Sequence, residues 1–160
     1  MAKKQEKTNV MRILDQKKIP HQEHSYDAGT ALSAIEVADA LGLDINRVFK
    51  TLVTVGASKE HYVFIVPGAE ELDLKKAAKT AGEKSIAMIP SKELLPLTGY
   101  IHGGCSPIGM KKQFKTFIHE TAKDFETIFF SAGKIGYQIE CPLTELQKVV
   151  PVQLADIIVK

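Results

Sequence analysis

The sequence predicts a mixed α/β domain, and three observations carry that expectation. Segments with apolar residues at helical spacing alternate along the chain with short runs rich in β-branched and aromatic residues. A length of 160 residues with 44% hydrophobic composition suffices for one sizeable core. No internal repeat or low-complexity linker divides the chain, so residues 1–160 read as a single domain, with 1–7 as a flexible tail.

After the tail, Val10, Ile13 and Leu14 repeat at helical spacing, and Pro20 closes the segment. QEHSY, Gln22 to Tyr26, reads as extended. Ser33 precedes Glu36 at the spacing of a capping box, and Ala34, Val37, Ala38 and Leu41 make one apolar face ahead of Gly42. RVFKTLVTV and HYVFIV, separated by GASKE, read as a β-hairpin that Pro67 and Gly68 end. Asp73 caps a helix whose inner face is Leu74, Ala77, Ala78 and Ala81, with Gly82 as its stop. SIAMI reads as a strand, as do Thr116 to His119, Thr127 to Phe130 and Gly136 to Ile139. A short last helix runs from Pro142 through about Lys148.

Composition narrows the function. Lys plus Arg number 21 against 19 Asp plus Glu, a net charge of +2. So weak an excess argues against gripping long duplex nucleic acid through phosphates alone and leaves room for a short RNA contact. No run of 18 apolar residues occurs and the first residues lack the apolar centre of a secretory signal, so a soluble, cytoplasmic protein without a membrane contact is expected. Cys105 and Cys141 form no CxxC pair, which points to free thiols rather than a zinc site or a disulfide framework. In HQEH, His21 and His24 stand three apart without further ligands nearby and read as surface-strand residues; no metal is expected.

Several features bear on chemistry. Lys50 shares a strand face with Val48 and Leu52, while Phe49, Thr51, Val53 and Val55 point the other way, so both faces are mostly apolar. A lysine there either snorkels past the sheet edge or projects into a pocket that needs a positive charge. GGCSPIG, Gly103 to Gly109, and SAGKIG, Ser131 to Gly136, are loops of small residues; such loops bring backbone amides close to a ligand or merely connect strands. Neither matches a phosphate-binding or dinucleotide-binding glycine motif. Lys75, Lys76 and Lys79, and again Lys111, Lys112 and Lys115, face either solvent or RNA phosphates. Cys105 has no recognisable partner base, although His102, His119 and Lys50 are candidates to approach it in the fold.

Taken in order, HSYD, LG ahead of VFKTLV, LKKAAK, TGYIHGGCSPIGMKK, FETIFFSAGKIGYQIE and LTELQKVV resemble the YbaK/EbsC family of Cys-tRNA(Pro) deacylases, related to the editing domain inserted in bacterial prolyl-tRNA synthetases. The resemblance implies a mixed β-sheet or partly closed barrel flanked by helices. It also implies a trans-editing hydrolase that removes cysteine from mischarged tRNA(Pro), with prolyl-tRNA synthetase as a transient partner and no cofactor. The functional lysine of the family falls on Lys50. Pocket positions fall on Tyr26, Thr51, Gly103, Gly104, Ser106, Pro107, Ser131 and Gly133. The family's mechanism uses the substrate's own thiol, which attacks its ester and leaves as a thiolactone. Cys105 then occupies the variable position of the GGxSP turn and reads as packing. Alternatives are an alanine-directed deacylase of the same superfamily and a non-catalytic module that binds an aminoacyl group or small metabolite.

Overall fold

A computed structural model describes residues 7–26 and 34–159. Along the chain run α1 (Asn9–Gln16), β1 (Gln22–Ser25), α2 (Ala34–Leu41), β2 (Phe49–Gly56), β3 (His61–Pro67), α3 (Leu74–Ala81), β4 (Ile86–Met88), α4 (Ser91–Thr98), β5 (Lys115–His119), β6 (Ile128–Ser131), β7 (Tyr137–Cys141), α5 (Leu143–Val149) and β8 (Val152–Ala155). Residues 1–6 of the expected tail, and the Ser33 cap expected for α2, lie outside the described residues. Lys7, the last residue of that tail, donates hydrogen bonds to Asp15 (3.1 Å) and Glu23 (3.0 Å).

The architecture is mixed α/β with flanking helices. The strands part into two open sheets, and the partly closed barrel does not form. One sheet has the order β4-β2-β3-β5-β8 and the other β1-β7-β6. β2 and β3 make the expected antiparallel hairpin, Phe49 opposite Pro67 through Val55 opposite His61. β5 joins β3 in parallel, and β8 joins β5 in parallel. Between the sheets a single parallel bridge, Val48 to Phe129, joins the start of β2 to β6. Among the described residues pairing between the sheets goes no further, and the ladder does not close.

Side-chain alternation in β2 and β3 assigns the two faces of the larger sheet. Phe49, Val53, Val63 and Ile65 point into the main core, where they meet Ile128, Phe130 and Ile139 of the smaller sheet, Val10, Met11 and Leu14 of α1, and Leu143 and Leu146 of α5. Tyr62, Phe64 and Val66 point the other way, onto Ala77 and Ala78 of α3, Phe117 and Ile157. The first of these cores therefore ties the two sheets together. Each large aliphatic side chain fully buried there contributes roughly 1.5–3 kcal/mol.

Local signals explain the helix ends. The Thr8 hydroxyl accepts from Met11 N (3.2 Å) at the start of α1, and the Asp73 carboxylate accepts from Lys75 N (2.9 Å) and Lys76 N (3.1 Å) at the start of α3. Two of the helices and strands named above lie outside the sequence expectations. Helix α4 carries Pro96 in its interior, ordinarily a breaker, but the proline sits near the end of a short, mostly exposed helix that stops at Gly99. Strand β8 shows little apolar alternation, because it is an edge strand with Gln153 and Leu154 exposed.

The C-terminal segment is clamped to α3. Asp73 N donates to Ile157 O (2.8 Å), and Lys76 Nζ donates to Asp156 (3.1 Å) and to Ile158 O (2.9 Å). Ile157 N donates to Nδ1 of buried His119 (3.3 Å), which requires that nitrogen unprotonated. Burial, partly offset by the nearby Asp156 carboxylate, lowers the His119 pKa from its ordinary 6.5. A lowered folded value means that this contribution is fully present above pH 6.5 and is lost as pH falls through the folded value. The melting temperature of the parent should therefore fall more steeply between pH 7.5 and pH 5 than that of His119→Asn, whose side-chain oxygen accepts without titrating. Each kcal/mol corresponds to about 2–4 °C for a chain of this size. Parallel slopes in parent and variant would remove His119 from the acid response.

Candidate active site

Where the two sheets meet, the single Val48–Phe129 bridge leaves a cavity of about 340 Å³. All five residues from Val48 to Leu52 line it, so both faces of β2 contribute at its start. Ala34 and Val37 of α2, Gly68, the 102–105 turn, Ser131 and Gln138 complete the wall. Among these described lining residues there is no carboxylate, and Lys50 supplies the fixed positive charge.

Lys50 is half-buried, and its Nζ donates to Gly68 O (3.3 Å). Of the two readings left open by the sequence, the structure shows the lysine on the cavity wall. The Gly68 carbonyl is reachable because the strand ends there: Gly68 N donates to Val48 O (2.7 Å) across the hairpin. A Cβ at Gly68 would lie 2.3 Å from the Ala34 Cβ, so only glycine lets α2 close over this side.

The two small-residue loops are packed together. A Cβ on Gly104 would sit 3.3 Å from Ile135 N, and one on Gly133 would sit 2.9 Å from a Tyr100 ring carbon. Tyr100 is buried and its hydroxyl donates to Ile108 O, bracing the 102–108 turn from beneath; burial pushes that phenol up to about 12. The glycines thus allow the close approach that holds both loops at one cavity.

Of the residues singled out from the sequence, Lys50, Thr51, Gly103 and Ser131 line the cavity. Gly104 and Pro107 are buried in the supporting turn, and Ser106, also buried, turns its hydroxyl to accept from Ile108 N (3.3 Å). Gly133 supports the second loop, its N donating to the Ser131 hydroxyl (3.1 Å). Tyr26 packs with Val37, Val48 and Phe129, behind two of the lining residues. The structure adds His102, Cys105 and Gln138 to the wall. Strand alternation held a signal for Gln138: it is a polar residue directly opposite Ser131 in the β6–β7 ladder.

Cys105 is 8% exposed and burial pushes its thiol up to about 12. It is therefore a thiol, not a thiolate, at neutral pH, and no hydrogen bond links it to a base among the described residues. Elsewhere Asp15, His21 and Glu23 cluster, but the Lys7 ammonium already sits between the two carboxylates. Lys76 is bound to Asp156 and Lys112 lies over the Phe114 ring, 6.0 Å from its centre, so neither lysine cluster is wholly turned to solvent. No helix of the described residues is long and apolar enough to cross a membrane.

A model of the aminoacyl-tRNA editing domain matches residues 29–149. A protein of Enterococcus faecalis named EbsC, described as a candidate Cys-tRNA(Pro)/Cys-tRNA(Cys) deacylase, is 48% identical over 163 aligned positions, covering 100% of this chain and 99% of that protein. The proline–tRNA ligase of Shouchella clausii is 31% identical over 102 residues, which are 64% of this chain and 18% of the ligase. A solved structure described as a candidate trans-editing enzyme for prolyl tRNA synthetase superposes with a TM-score of 0.82 at 24% identity, over 94% of this chain and 97% of that one; that likeness concerns the fold.

Proposed function

The chain belongs to the aminoacyl-tRNA editing domain family, and from that membership we propose that it is a hydrolase that deacylates cysteinyl-tRNA(Pro), residues 1–160 acting as one editing unit. The observation that carries the proposal is Lys50 on the wall of a cavity whose described lining residues include no carboxylate, in a chain 48% identical from end to end to a protein named for that activity. The cavity volume of about 340 Å³ suits an aminoacyl group rather than a nucleic-acid helix.

The chemistry needs no protein nucleophile. A cysteinyl thiol held against its own ester reacts intramolecularly, and good placement corresponds to an effective molarity on the order of 10⁵ M or more. The sulfur attacks the carbonyl carbon, the bond to the ribose oxygen breaks, and the thiol proton ends on that oxygen. Water then opens the four-membered thiolactone to free cysteine. A free thiol has a pKa of about 8.5, so a few per cent is thiolate near pH 7, and a nearby Lys50 ammonium raises that fraction or holds the terminal phosphate of the tRNA. The oxyanion takes its donors from the turn. Gly104 N is bonded to Ile101 O (3.0 Å), which leaves the amides of the two lining residues, Gly103 and Cys105, for this task. The Ser131 hydroxyl, already accepting from Gly133 N, retains its own proton to donate into the cavity.

Prolyl-tRNA synthetase is the proposed transient partner, because a net charge of +2 leaves little surface potential for holding a tRNA alone. The test is release of amino acid from proline tRNA charged with cysteine or with alanine, with and without the synthetase. Preferential release of cysteine, faster with the synthetase, is expected. Preferential release of alanine would reassign the substrate, and tight binding without release would make the chain a binding module.

A further inference from the structure

Two side-chain oxygens on the cavity wall are buried without any hydrogen-bond partner, Thr51 Oγ1 and Gln138 Oε1. Buried polar atoms in folded proteins are nearly always paired, so orphans at a cavity mark places where a ligand supplies the missing group. Thr51 carries a hydroxyl and can serve as donor or acceptor. Gln138 is more demanding: its oxygen can only accept. It is 6% exposed and pinned by β pairing on both sides, to Ser131 and to His24, so the carboxamide is held on a rigid strand.

An aminoacyl ester offers few donors to this oxygen: the α-amino group, the thiol and a ribose hydroxyl. The thiol is a weak donor and is occupied by its own attack on the ester. The amino group is the strong one, and among the described lining residues no carboxylate competes for it. We propose that Gln138 is a specificity-determining residue that reads the α-amino group of the aminoacyl ester through its carboxamide oxygen. The inference rests on the proposed deacylase function and deepens it: the site accepts esters of α-amino acids and rejects thiol acids that lack the amine. A neutral acceptor also leaves the Lys50 ammonium without a neutralising partner among the described lining residues.

The test compares cysteinyl-tRNA(Pro) with 3-mercaptopropionyl-tRNA(Pro), which keeps the ester and the thiol but has no amine. The ratio of their kcat/KM values is measured for the parent, Gln138→Met and Gln138→Glu. Intrinsic reactivity differences cancel when ratios are compared between proteins. In Gln138→Met the preference for the cysteinyl ester should fall by about 10-fold or more, since a site built to hydrogen-bond a group discriminates only while its partner is present. Gln138→Glu keeps an acceptor oxygen and should keep or raise the preference. An unchanged ratio in Gln138→Met overturns the inference. Where Gln138→Met does not fold, a fallen ratio in Gln138→Glu overturns it and a kept ratio supports it. A parent that releases the acyl group from neither substrate removes the deacylase function, and the inference with it.

Discussion

Lys50→Ala is expected to lower kcat/KM for cysteinyl-tRNA(Pro) by about 100-fold or more, equivalent to about 2.7 kcal/mol of transition-state stabilisation. Among the described lining residues of the cavity there is no carboxylate, and Lys50 is their fixed positive charge. Under the proposed mechanism, truncation removes the group that would favour the thiolate or hold the phosphate, and no other lysine or arginine among the described lining residues replaces it. The fold should survive, because the side chain is half-buried and its ammonium donates to a single carbonyl, Gly68 O. A thermal melt within a few degrees of the parent, beside single-turnover rates, separates these effects. A folded variant with the parental rate would take Lys50 out of the site.

Proline tRNA charged with serine is expected to be hydrolysed at least about 100-fold more slowly than the cysteinyl form, because a hydroxyl is essentially un-ionised where a thiol is a few per cent thiolate. Serine preserves the size, the amine that Gln138 would accept and the ester. Only the attacking atom changes. Rates within a few-fold of each other would mean that water or a protein group attacks the carbonyl, and would transfer the chemistry from the substrate to the wall.

Much of this was legible in the residues. Periodicity located the β2–β3 hairpin and helix α3, because caps and alternation act locally; Asp73 and Gly82 bound α3 where their chemistry predicts. Helix α4 was hidden by Pro96, whose cost is small near a helix end, and β8 by an exposed edge position that needs no apolar pattern. How the two sheets meet was also out of reach, since it rests on a long-range bridge, Val48 to Phe129. At the site, Lys50 and the glycine loops stood out as local anomalies, polar or small where a strand or turn invites otherwise. Which of them reach the cavity is a tertiary matter. The sequence could not show that Ser106 turns inward to Ile108 N while Gln138, from a ladder far along the chain, faces the same space as Lys50.

The central claim is that catalysis belongs to the substrate's thiol and not to the cysteine on the wall, and single-turnover deacylation of cysteinyl-tRNA(Pro) by the parent and by Cys105→Ala tests it most directly. Cys105 is held as a thiol by burial, up to about 12, so the account predicts release at a rate within a few-fold of the parent and no acylated protein on quenching. Abolished release by a well-folded Cys105→Ala, or a thioester trapped on Cys105 in the parent, would contradict it.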